Sequence, residues 1–449
     1  MKKTVTEYLD QDYGNYAKYV IEHRAIPSVI DGFKPTQRKV IHIASKVWKG
    51  SNNKPLKIFQ LGGKVASDAN YHHGDASLSS AIIGMAQSFK NSMPLLDEIG
   101  QFGSLRSPEA GAPRYISTKL NENFRLLYKD FELLESRYEE GIEIEPSFFL
   151  PIIPTVLLNG GSGIAVGFAT NILNRNPIDL IDSCIKELSK RRYDEPKPWY
   201  KGFNGSCNRD ETNPSTWILK GIYDVKNTST VHISELPPSV TYEKYDKYLI
   251  SKEDSKEIAT YDDNSKSNID YTLKFKRADL DKLIKSKRLS RFLKMEERQS
   301  ENLTMLDENG KLKIFDNVKD IIKYFVNFRL TYYDKRKVYL IKTLQQDLTI
   351  LSNKAAFIKA IIDGKLKINN VPKKDIVTWL TMTKYNLMDG SYSYLLSMPI
   401  HTLTKEKYEE LLLQKQEKQK ELDIIKSTLP IDMYKKDLSE LKKVIIKNK

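Results

Sequence analysis

A phenol and a guanidinium are neighbours in the segment 111–115 (GAPRY), which follows a glycine-rich run at residues 100–103. A tyrosine hydroxyl has an ordinary pKa near ~10, so it attacks phosphorus only when its proton is removed and cations stabilise the phosphoryl oxygens. The planar, permanently charged Arg114 could supply that stabilisation to Tyr115. The product would be a phosphotyrosine ester, which keeps the energy of the broken backbone bond. From the dipeptide alone, a half-buried structural tyrosine is the commoner alternative.

A second group of candidate residues is the segment 71–75 (YHHGD), in which two histidines precede a glycine and an acid. Adjacent histidines can bind zinc, but no HxxxH or HxxE spacing supports a closed metal site here. His72 and His73 are better suited to hydrogen-bond phosphate oxygens or the phenol. A pair of ordinary loop histidines is the alternative interpretation of this segment.

The charge of the chain favours a polyanionic partner. Its 449 residues include 72 Lys and Arg against 58 Asp and Glu, which gives a formal charge of +14. Residues 24–64 contain nine Lys or Arg and a single acid, Asp31. Such clusters bind DNA by displacing its counterions, although basic soluble proteins of other classes share the overall charge.

Cysteine usage and the start of the chain indicate a reducing cytoplasm. Only Cys184 and Cys207 occur, without CxxC spacing, and the first ten residues do not resemble a secretory leader. The uncharged stretch 146–174 is interrupted by Pro151, Pro154 and four glycines. It therefore predicts buried strands and turns rather than a membrane helix, and we expect no membrane partner.

Two short helices are predicted in the basic region and just after it. Pro35 suits the first position of a helix. Apolar residues would line one face of this helix, and basic residues the opposite face. These basic residues are Arg38, His42, Lys46 and Lys49. A second helix is predicted after Asp75, which would be its N-cap. The pair suggests a helix-turn-helix DNA reader, although a basic solvated face is the commoner meaning of such a pattern.

The rest of the chain predicts a mixed region followed by long helices. Residues 175–315 are strand-like at 230–233 and strongly charged from 251 onward, which indicates a separate mixed domain. Apolar residues then recur at alternating spacings of three and four, the seam of a coiled coil or of tightly packed long helices. They are Leu344, Leu348, Leu351, Ala355, Ile358 and Ile362. A second helix over about 404–429, ended by Pro430, would pair with the first as an antiparallel arm.

Seven segments, in the same order, resemble the successive motifs of the type IIA DNA topoisomerase breakage-reunion core. They are IPSVIDGFKPTQRKV (26–40), YHHGDASL (71–78), IGQFGS (99–104), PRYISTKL (113–120), EPSFFLPIIPTVLLNGGSGIAVGFATNI (145–172), PWYKGFNG (198–205) and LTKEKYEEL (403–411). The resemblance covers nearly the whole chain. PWYKGF and PRYI look closer to the eukaryotic enzymes than to gyrase, and T-even-type bacteriophages encode a split-subunit enzyme of this character.

The resemblance implies an α+β multidomain fold. A winged-helix (helix-turn-helix) DNA-binding domain with the catalytic tyrosine is expected over residues 1–150. A mixed α/β tower domain is expected over 151–315. Residues 316–449 would form long antiparallel coiled-coil arms, about 318–362 and 404–449, with a helical C-gate knob at about 365–403.

The resemblance also implies roles for individual residues. Tyr115 matches the active-site tyrosine, Arg114 its transition-state partner, and His72 and His73 the histidines near the scissile phosphate. Ile172 matches the isoleucine wedge that intercalates and bends the duplex, a distortion that costs a few kcal/mol per unstacked step. The implied DNA-binding residues on the winged-helix surface are Arg24, Lys34, Arg38, Lys39 and Lys64.

The implied function is the cleavage and religation subunit of an ATP-dependent type IIA topoisomerase. It would relax or decatenate double-stranded DNA through a transient break with 5′-phosphotyrosine links. The chain has no GxxxxGK[ST] loop, and the DxD spacing at residues 279–281 lies in a charged, helix-like stretch. We therefore expect no metal site in this chain, with Mg²⁺ and ATP held by partner subunits. We also expect the chain to form a homodimer through the C-gate. We expect it in the cytoplasm, that of the host cell if a phage encodes it.

There are two alternatives, one within enzymes and one from a different class of protein. A tyrosine recombinase or type IB enzyme needs an HxxR element, and no histidine here has Arg three residues later. A non-catalytic DNA-binding scaffold with coiled-coil arms is compatible with the basic cluster and the apolar seam. Formation of a covalent bond to DNA separates the enzyme from the scaffold.

Overall fold

The computed structural model describes residues 4–50, 53–104, 107–266 and 268–447. The chain divides into two compact units, Met1–Arg329 with Asp437–Lys449, and Leu330–Lys436. The domain boundaries expected at residues 150 and 315 stay predictions, and the end of the second expected arm, residues 448–449, lies outside the described part. The first unit mixes helices and strands, whereas the second is helical.

The first unit opens with an irregular helical stretch that is followed by four helices. π-Helical turns at Tyr8–Tyr13 and Ile21–Ala25 alternate with α-helical ones, and a 3₁₀ turn follows at Phe131–Leu133. The elements are α1 (Val5–Glu7), α2 (Gly14–Val20), α3 (Pro35–Val47), β1 (Leu56–Lys57), α4 (Ile58–Asp68), α5 (Asp75–Ala86), β2 (Ser117–Thr118) and α6 (Glu122–Leu127). Strands β1 and β2 pair antiparallel, which brings α4 next to the segment that follows Tyr115.

Helix α3 begins at Pro35 as predicted, because proline fits the first helical turn, where its missing N–H is not needed. Helix α5 begins one residue earlier than expected, at Asp75, with Gly74 as the N-cap. The predicted basic face of α3 is only partly exposed, since Arg38 and His42 are buried together with the apolar stripe. This helix is therefore enclosed on more than one side.

The uncharged stretch 146–174 folds into turns and strands, as predicted, with one short helix. The prediction that its strands are buried is wrong for the strand 161–164, in which Ile164 is 88% exposed. The strands β3 (Arg137–Glu139) and β4 (Ile142–Ile144) precede this stretch, which contains α7 (Thr155–Asn159), β5 (Gly161–Ile164) and β6 (Ala169–Ile172). β5 and β6 form an antiparallel hairpin. In the part of the chain that the structure describes, no helix is both long and apolar enough to cross a membrane.

Residues 177–314 contain most of the strands. The elements are α8 (Pro177–Leu188), β7 (Ser206–Arg209), β8 (Thr216–Lys220), β9 (Ile222–Val225), β10 (Thr230–Glu235), α9 (Tyr242–Asp254), β11 (Thr260–Asp263), β12 (Tyr271–Lys274), α10 (Arg277–Lys285), α11 (Leu289–Phe292), β13 (Glu296–Ser300), β14 (Thr304–Leu306) and β15 (Leu312–Ile314). Antiparallel pairing gives a four-stranded sheet in the order β11-β12-β10-β9 and a three-stranded sheet in the order β13-β8-β7. The strand predicted at 230–233 is confirmed as part of β10.

Long helices dominate the last part of the chain. They are α12 (Val318–Ile362), α13 (Lys373–Met382), α14 (Ser393–Leu396), α15 (Lys405–Ser427) and α16 (Pro430–Lys447), with a 3₁₀ turn at Ile400–Thr402. Leu344 and Leu348 of α12 pack against Leu422 of α15, and Ile358 packs against Leu411. This order makes α12 and α15 antiparallel neighbours, as the apolar spacing predicted. Pro430, expected only to end a helix, begins α16, because proline also suits a first helical position.

Candidate active site and nucleic-acid interface

Tyr115 lies on a tight turn with its side chain 74% exposed. The next residue, Ile116, is buried, and its carbonyl accepts a hydrogen bond from the Ile58 N–H (3.1 Å). The Pro113 carbonyl accepts another from the Phe59 N–H (3.2 Å). Because both bonds attach the turn to the first residues of α4, the backbone is held in place while the phenol stays accessible.

Glycines allow the segment before this turn to pack closely. The Gly111 N–H donates to the Gln101 carbonyl (2.8 Å), and a Cβ at Gly111 would lie 3.2 Å from Cγ2 of Ile116. Gly103 has a φ of +85°, and a Cβ there would lie 2.6 Å from the Pro108 carbonyl oxygen. Larger side chains at these positions would displace the support of the turn.

Arg114 is exposed beside Tyr115, with its guanidinium carbon 5.8 Å from the centre of the phenol ring. Within the described part of the chain, no carboxylate pairs with it. An exposed guanidinium that lacks a carboxylate partner is available to an incoming anion, and its planar fork matches the oxygens of a phosphate. The structure thus places the two residues of the predicted RY pair side by side at the surface.

His72 and His73 are exposed in the loop that precedes α5. The Nε2 of His73 lies 3.0 Å from the Tyr19 hydroxyl, and the Tyr71 ring packs edge-on against the imidazole at 5.4 Å. Among the described residues, no hydrogen bond or ring contact joins either histidine to Tyr115. Their approach to a scissile phosphate stays a prediction.

Arg24 and Lys34 line one surface pocket of about 460 Å³ together with Ile164. Arg24 is exposed at the end of the second π-helical turn. Lys34 is half-buried, so desolvation lowers its pKa from the ordinary value, and its ammonium donates to the Ser162 carbonyl (2.7 Å). The pocket therefore combines two cations with an exposed apolar side chain, a composition suited to a nucleic-acid backbone and its bases.

Lys39 and Lys64 are the other two lysines predicted to bind DNA. They differ in whether the ammonium group is already bonded inside the protein. The Lys39 ammonium donates to Glu145 (2.9 Å) and to the Ala69 carbonyl (2.6 Å). Lys64 is exposed on α4. A DNA contact by Lys39 would compete with bonds inside the protein, whereas one by Lys64 would not.

The expectation that Arg38 contacts DNA is corrected by the structure. Arg38 is buried, and its guanidinium donates two hydrogen bonds to the buried Asp31 carboxylate, at 2.7 and 3.0 Å. Asp31 also accepts from the N–H groups of Phe33 and Phe149, both at 3.0 Å. Because the guanidinium neutralises a buried carboxylate that organises this turn, Arg38 supports the surface rather than forming it.

The wedge assignment of Ile172 is corrected as well. In the β5–β6 hairpin, Ile172 is opposite Gly161 and only 2% exposed, whereas Ile164 is 88% exposed. A side chain that inserts between base pairs must be accessible on the free protein, and Ile172 is enclosed in the core. Ile164, next to the hairpin turn, is the isoleucine of this hairpin that meets the requirement.

The hairpin is held in place from the side of β6. Asn171 and Asn302 exchange two backbone hydrogen bonds, at 3.0 and 2.9 Å. Just beyond β6, the Glu301 carboxylate accepts from the Leu173 N–H (3.1 Å), from Arg175 (2.8 Å) and from the Trp217 indole (2.8 Å). These contacts join the hairpin to the three-stranded sheet, because Trp217 belongs to β8. An exposed tip therefore rests on a buried, hydrogen-bonded base.

The family model for the A subunit of DNA gyrase/topoisomerase IV matches residues 24–439 of this chain. The match covers most of the chain and includes the turn at Tyr115, both histidines and the hairpin. The chain belongs to this family.

Individual topoisomerases resemble the chain along its length. The DNA topoisomerase medium subunit of Enterobacteria phage T4 is 34% identical over 97% of this chain and 98% of that protein. DNA topoisomerase 2 of Plasmodium falciparum is 34% identical over 98% of this chain but only 34% of that enzyme. The chain thus spans about a third of the eukaryotic relative and nearly all of the phage one.

A solved structure gives the same fold. The DNA-binding, cleavage and re-ligation domain of Plasmodium falciparum topoisomerase II superposes with a TM-score of 0.88 at 34% identity. The alignment covers 98% of this chain and 64% of that one. The mixed α/β architecture expected from the sequence is therefore confirmed at the level of the whole fold.

The residues around the candidate site do not fit a magnesium ion. Mg²⁺ prefers carboxylate and water oxygens, whereas the side chain next to Tyr115 is the Arg114 guanidinium. Over residues 4–50, 53–104, 107–266 and 268–447, no three His, Cys, Asp or Glu side chains gather closely enough to bind a metal. Asp279 and Asp281, the DxD pair, lie on α10, where Asp281 pairs with Lys285 (2.6 Å).

Sequence reasoning missed Ile164 and the structural role of Asp31. A signal for Ile164 was present in GSGIAVGF, where an apolar residue stands between glycines at a predicted turn and has no reason to be buried. Asp31 was noted only as the single acid in a basic cluster. An isolated acid among nine cations is itself an indication of an internal ion pair.

Proposed function

We propose that this chain is the DNA cleavage and religation subunit of an ATP-dependent type IIA topoisomerase, with Tyr115 as the nucleophile. The observation that carries the proposal is an exposed phenol on a fixed turn, next to an arginine that keeps no carboxylate partner within the described residues. The similar proteins are named as topoisomerases, which favours the enzyme over a non-catalytic scaffold.

The reaction is an exchange of esters at phosphorus. The Tyr115 oxygen forms a bond to a backbone phosphorus, and the bond from that phosphorus to the 3′ oxygen of the neighbouring deoxyribose breaks. The phenol gives its proton to a base, and the leaving 3′ oxygen takes up a proton from a general acid or water. A 5′-phosphotyrosine and a free 3′ hydroxyl result. Arg114 lowers the barrier by neutralising charge on the non-bridging oxygens. Attack by the 3′ hydroxyl reverses the exchange, so religation needs no external energy.

The pocket formed by Arg24, Lys34 and Ile164 would receive the DNA beside the break. The cations hold the backbone phosphates, while Ile164 inserts between base pairs and bends the duplex. Lys64 extends the basic surface along α4. His72 and His73 would contact oxygens of the scissile phosphate from the loop before α5.

The finer architecture follows the family. We assign α3, α4 and α5 with the β1–β2 pair to a winged-helix domain, and the two larger sheets to a tower domain. The antiparallel α12 and α15 would be coiled-coil arms, with residues 365–403 as the C-gate knob. Three apolar side chains of that knob, Met382, Leu387 and Ile400, are exposed, as expected of a surface that a second copy covers.

A twofold dimer through this gate would place two tyrosines so that each cuts one strand. Mg²⁺ and ATP would be bound by partner subunits, since in the described part of this chain no three His, Cys, Asp or Glu side chains gather closely enough to bind a metal. Bound by such a partner, the metal would neutralise charge near the phosphate. The complex would work in the cytoplasm, that of a host cell if a phage encodes it.

The deciding experiment is a denaturant trap. The protein is mixed with its ATPase and magnesium-binding partner subunits, Mg²⁺ and supercoiled DNA, and protein covalently joined to DNA is quantified after denaturation. Tyr115→Phe is expected to lower the yield by about 10³-fold or more, with DNA affinity within about twofold. Tyr138→Phe, at another exposed tyrosine, is the matched control and should behave as wild type. Adduct formation by Tyr115→Phe at the wild-type level would reject the proposal.

A further inference from the structure

One hydrogen bond connects the first helical stretch of the chain to the histidine loop. The Tyr19 hydroxyl, near the end of α2, lies 3.0 Å from Nε2 of His73. On another side, the Tyr71 ring contacts the same imidazole edge-on, with ring planes at 74°. Over the described residues, the other ring nitrogen, Nδ1, has no hydrogen-bond partner. Two tyrosines therefore hold the His73 ring and leave one nitrogen for a ligand.

The hydrogen-bonding rules of imidazole give this arrangement a chemical meaning. A neutral imidazole has one N–H donor and one acceptor nitrogen. When Nε2 accepts the Tyr19 proton, Nδ1 must carry the ring's own proton. When the ring is protonated, Nε2–H donates to the phenol oxygen, and Nδ1–H is still a donor. In these two states Nδ1 can donate to a phosphate oxygen, which can only accept. In the other neutral tautomer Nε2–H donates to the Tyr19 oxygen and Nδ1 is an acceptor, so a bound phosphate selects the first two states.

We propose that Tyr19 is a positioning residue for His73, holding the imidazole so that Nδ1–H points to a non-bridging oxygen of the scissile phosphate. The proposal rests on the cleavage function proposed above and adds to it. A histidine on an exposed loop would otherwise rotate about its side-chain bonds and present either nitrogen. The tyrosine reduces that freedom before DNA binds, which raises the rate of the step rather than the affinity for DNA.

The position of Tyr19 makes the idea testable without loss of the fold. Its side chain is 41% exposed, so Tyr19→Phe removes the hydroxyl and little packing. Tyr13, in the preceding π-helical turn, is 45% exposed and makes no side-chain hydrogen bond within the described part of the chain. Tyr13→Phe is therefore a matched control on the same helical stretch.

The test is a single-turnover cleavage assay with the partner subunits and Mg²⁺, on a saturating nicked duplex that prevents religation. Tyr19→Phe is expected to slow adduct formation about fivefold to tenfold, with the DNA dissociation constant within about twofold of wild type. Tyr13→Phe should match wild type. His73→Ala should slow the step about a hundredfold, and adding Tyr19→Phe to it should change the rate less than about twofold.

Two results would overturn the inference. One is a Tyr19→Phe rate equal to that of Tyr13→Phe. The other is a double variant in which the two effects multiply, since Tyr19 would then act independently of His73. Failure of the proposed function is distinguishable, because there Tyr115→Phe would still form the adduct. If Tyr115→Phe loses the adduct as expected and one of the two results above is obtained, only the role of Tyr19 is rejected.

Discussion

The turn that carries Tyr115 and the hairpin that carries Ile164 are built alike but are recognised differently from sequence. Each presents one exposed side chain, 74% for the tyrosine and 88% for the isoleucine, on a backbone held by hydrogen bonds to other elements. The tyrosine has a reactive group and an arginine neighbour, so residue type indicates its chemistry. The isoleucine has neither, and in the sequence Ile172, eight residues later, is an equally plausible candidate for the intercalating residue. A reactive residue can be found by type, whereas an apolar one acquires its role from the face it occupies.

Burial explains the difference between the two isoleucines. Enclosing a side chain such as Ile172 stabilises the fold by roughly 1.5–3 kcal/mol, so most isoleucines in strands are core residues. Ile164 makes no such contribution, because it lies in solvent beside the hairpin turn. An exposed large apolar side chain beside two cations is typical of a binding surface.

The largest expected effect tests the reactive region. Arg114→Ala should slow adduct formation by about 10²–10³-fold, because the transition-state charge loses its clamp, while DNA affinity changes by only a few-fold. Arg137→Ala, at an exposed arginine on β3, is the control and should be neutral. The measurement is the single-turnover rate at saturating DNA. A rate within twofold of wild type for Arg114→Ala would mean that Arg114 does not stabilise the transition state, and that the Tyr115 turn cannot be distinguished from the Ile164 hairpin by this residue.

A pair of substitutions in the hairpin tests whether the exposed Ile164, rather than the buried Ile172, is the intercalating residue. Ile164→Ala should leave thermal unfolding unchanged and reduce both DNA bending and cleavage about tenfold, because only the wedge is lost. Ile172→Ala should lower the free energy of unfolding by about 2–4 kcal/mol through a core cavity. Unfolding curves and the end-to-end distance of a doubly labelled duplex report the two effects. Loss of bending in Ile172→Ala at unchanged stability would reverse the assignment.

The same contrast between an exposed and a buried residue applies to Arg24 and Arg38. Here the expected effect on DNA binding or cleavage is the smallest of the three predictions. Arg24→Ala should weaken DNA binding and reduce the slope of log affinity against log salt by about one. Arg38→Ala should instead lower stability by about 3–5 kcal/mol, because it leaves the buried Asp31 carboxylate unpaired. Binding titrations at several salt concentrations and denaturant unfolding separate them. An unchanged salt slope for Arg24→Ala would exclude that residue from the interface.

Local signals predicted much of this structure. Pro35 and the apolar spacing after it are properties of one segment, and α3 begins where they indicate. The three-four alternation predicted an apolar seam along α12 in the same way, and residues of that seam pack against α15. The sheet order β11-β12-β10-β9 and the π-helical turns before residue 26 were not predicted, because strand pairing and helix irregularity depend on contacts distant in sequence.

The candidate site shows the same division. Tyr115, Arg114 and the two histidines were candidates from their chemistry, and the family resemblance assigned each of them a role. Arg38 was assigned to DNA because a basic residue on a predicted helix is indistinguishable from its neighbours until its partner is known. Its partner Asp31 lies seven residues away, and the burial that makes the pair structural comes from Phe149 and other distant residues. Tertiary burial decided both corrections, of Arg38 and of Ile172, although the isolated Asp31 and the glycines around Ile164 were local signals of them.

The most direct test of the central claim is to map the DNA-linked residue. The trapped adduct is digested with nuclease and then with trypsin, and the peptide that carries the remaining nucleotide is sequenced by mass spectrometry. We predict a nucleotide phosphate on Tyr115, in the peptide 115–119 (YISTK) that follows Arg114. A nucleotide on any other residue, such as Tyr19 or Tyr71, would contradict the account.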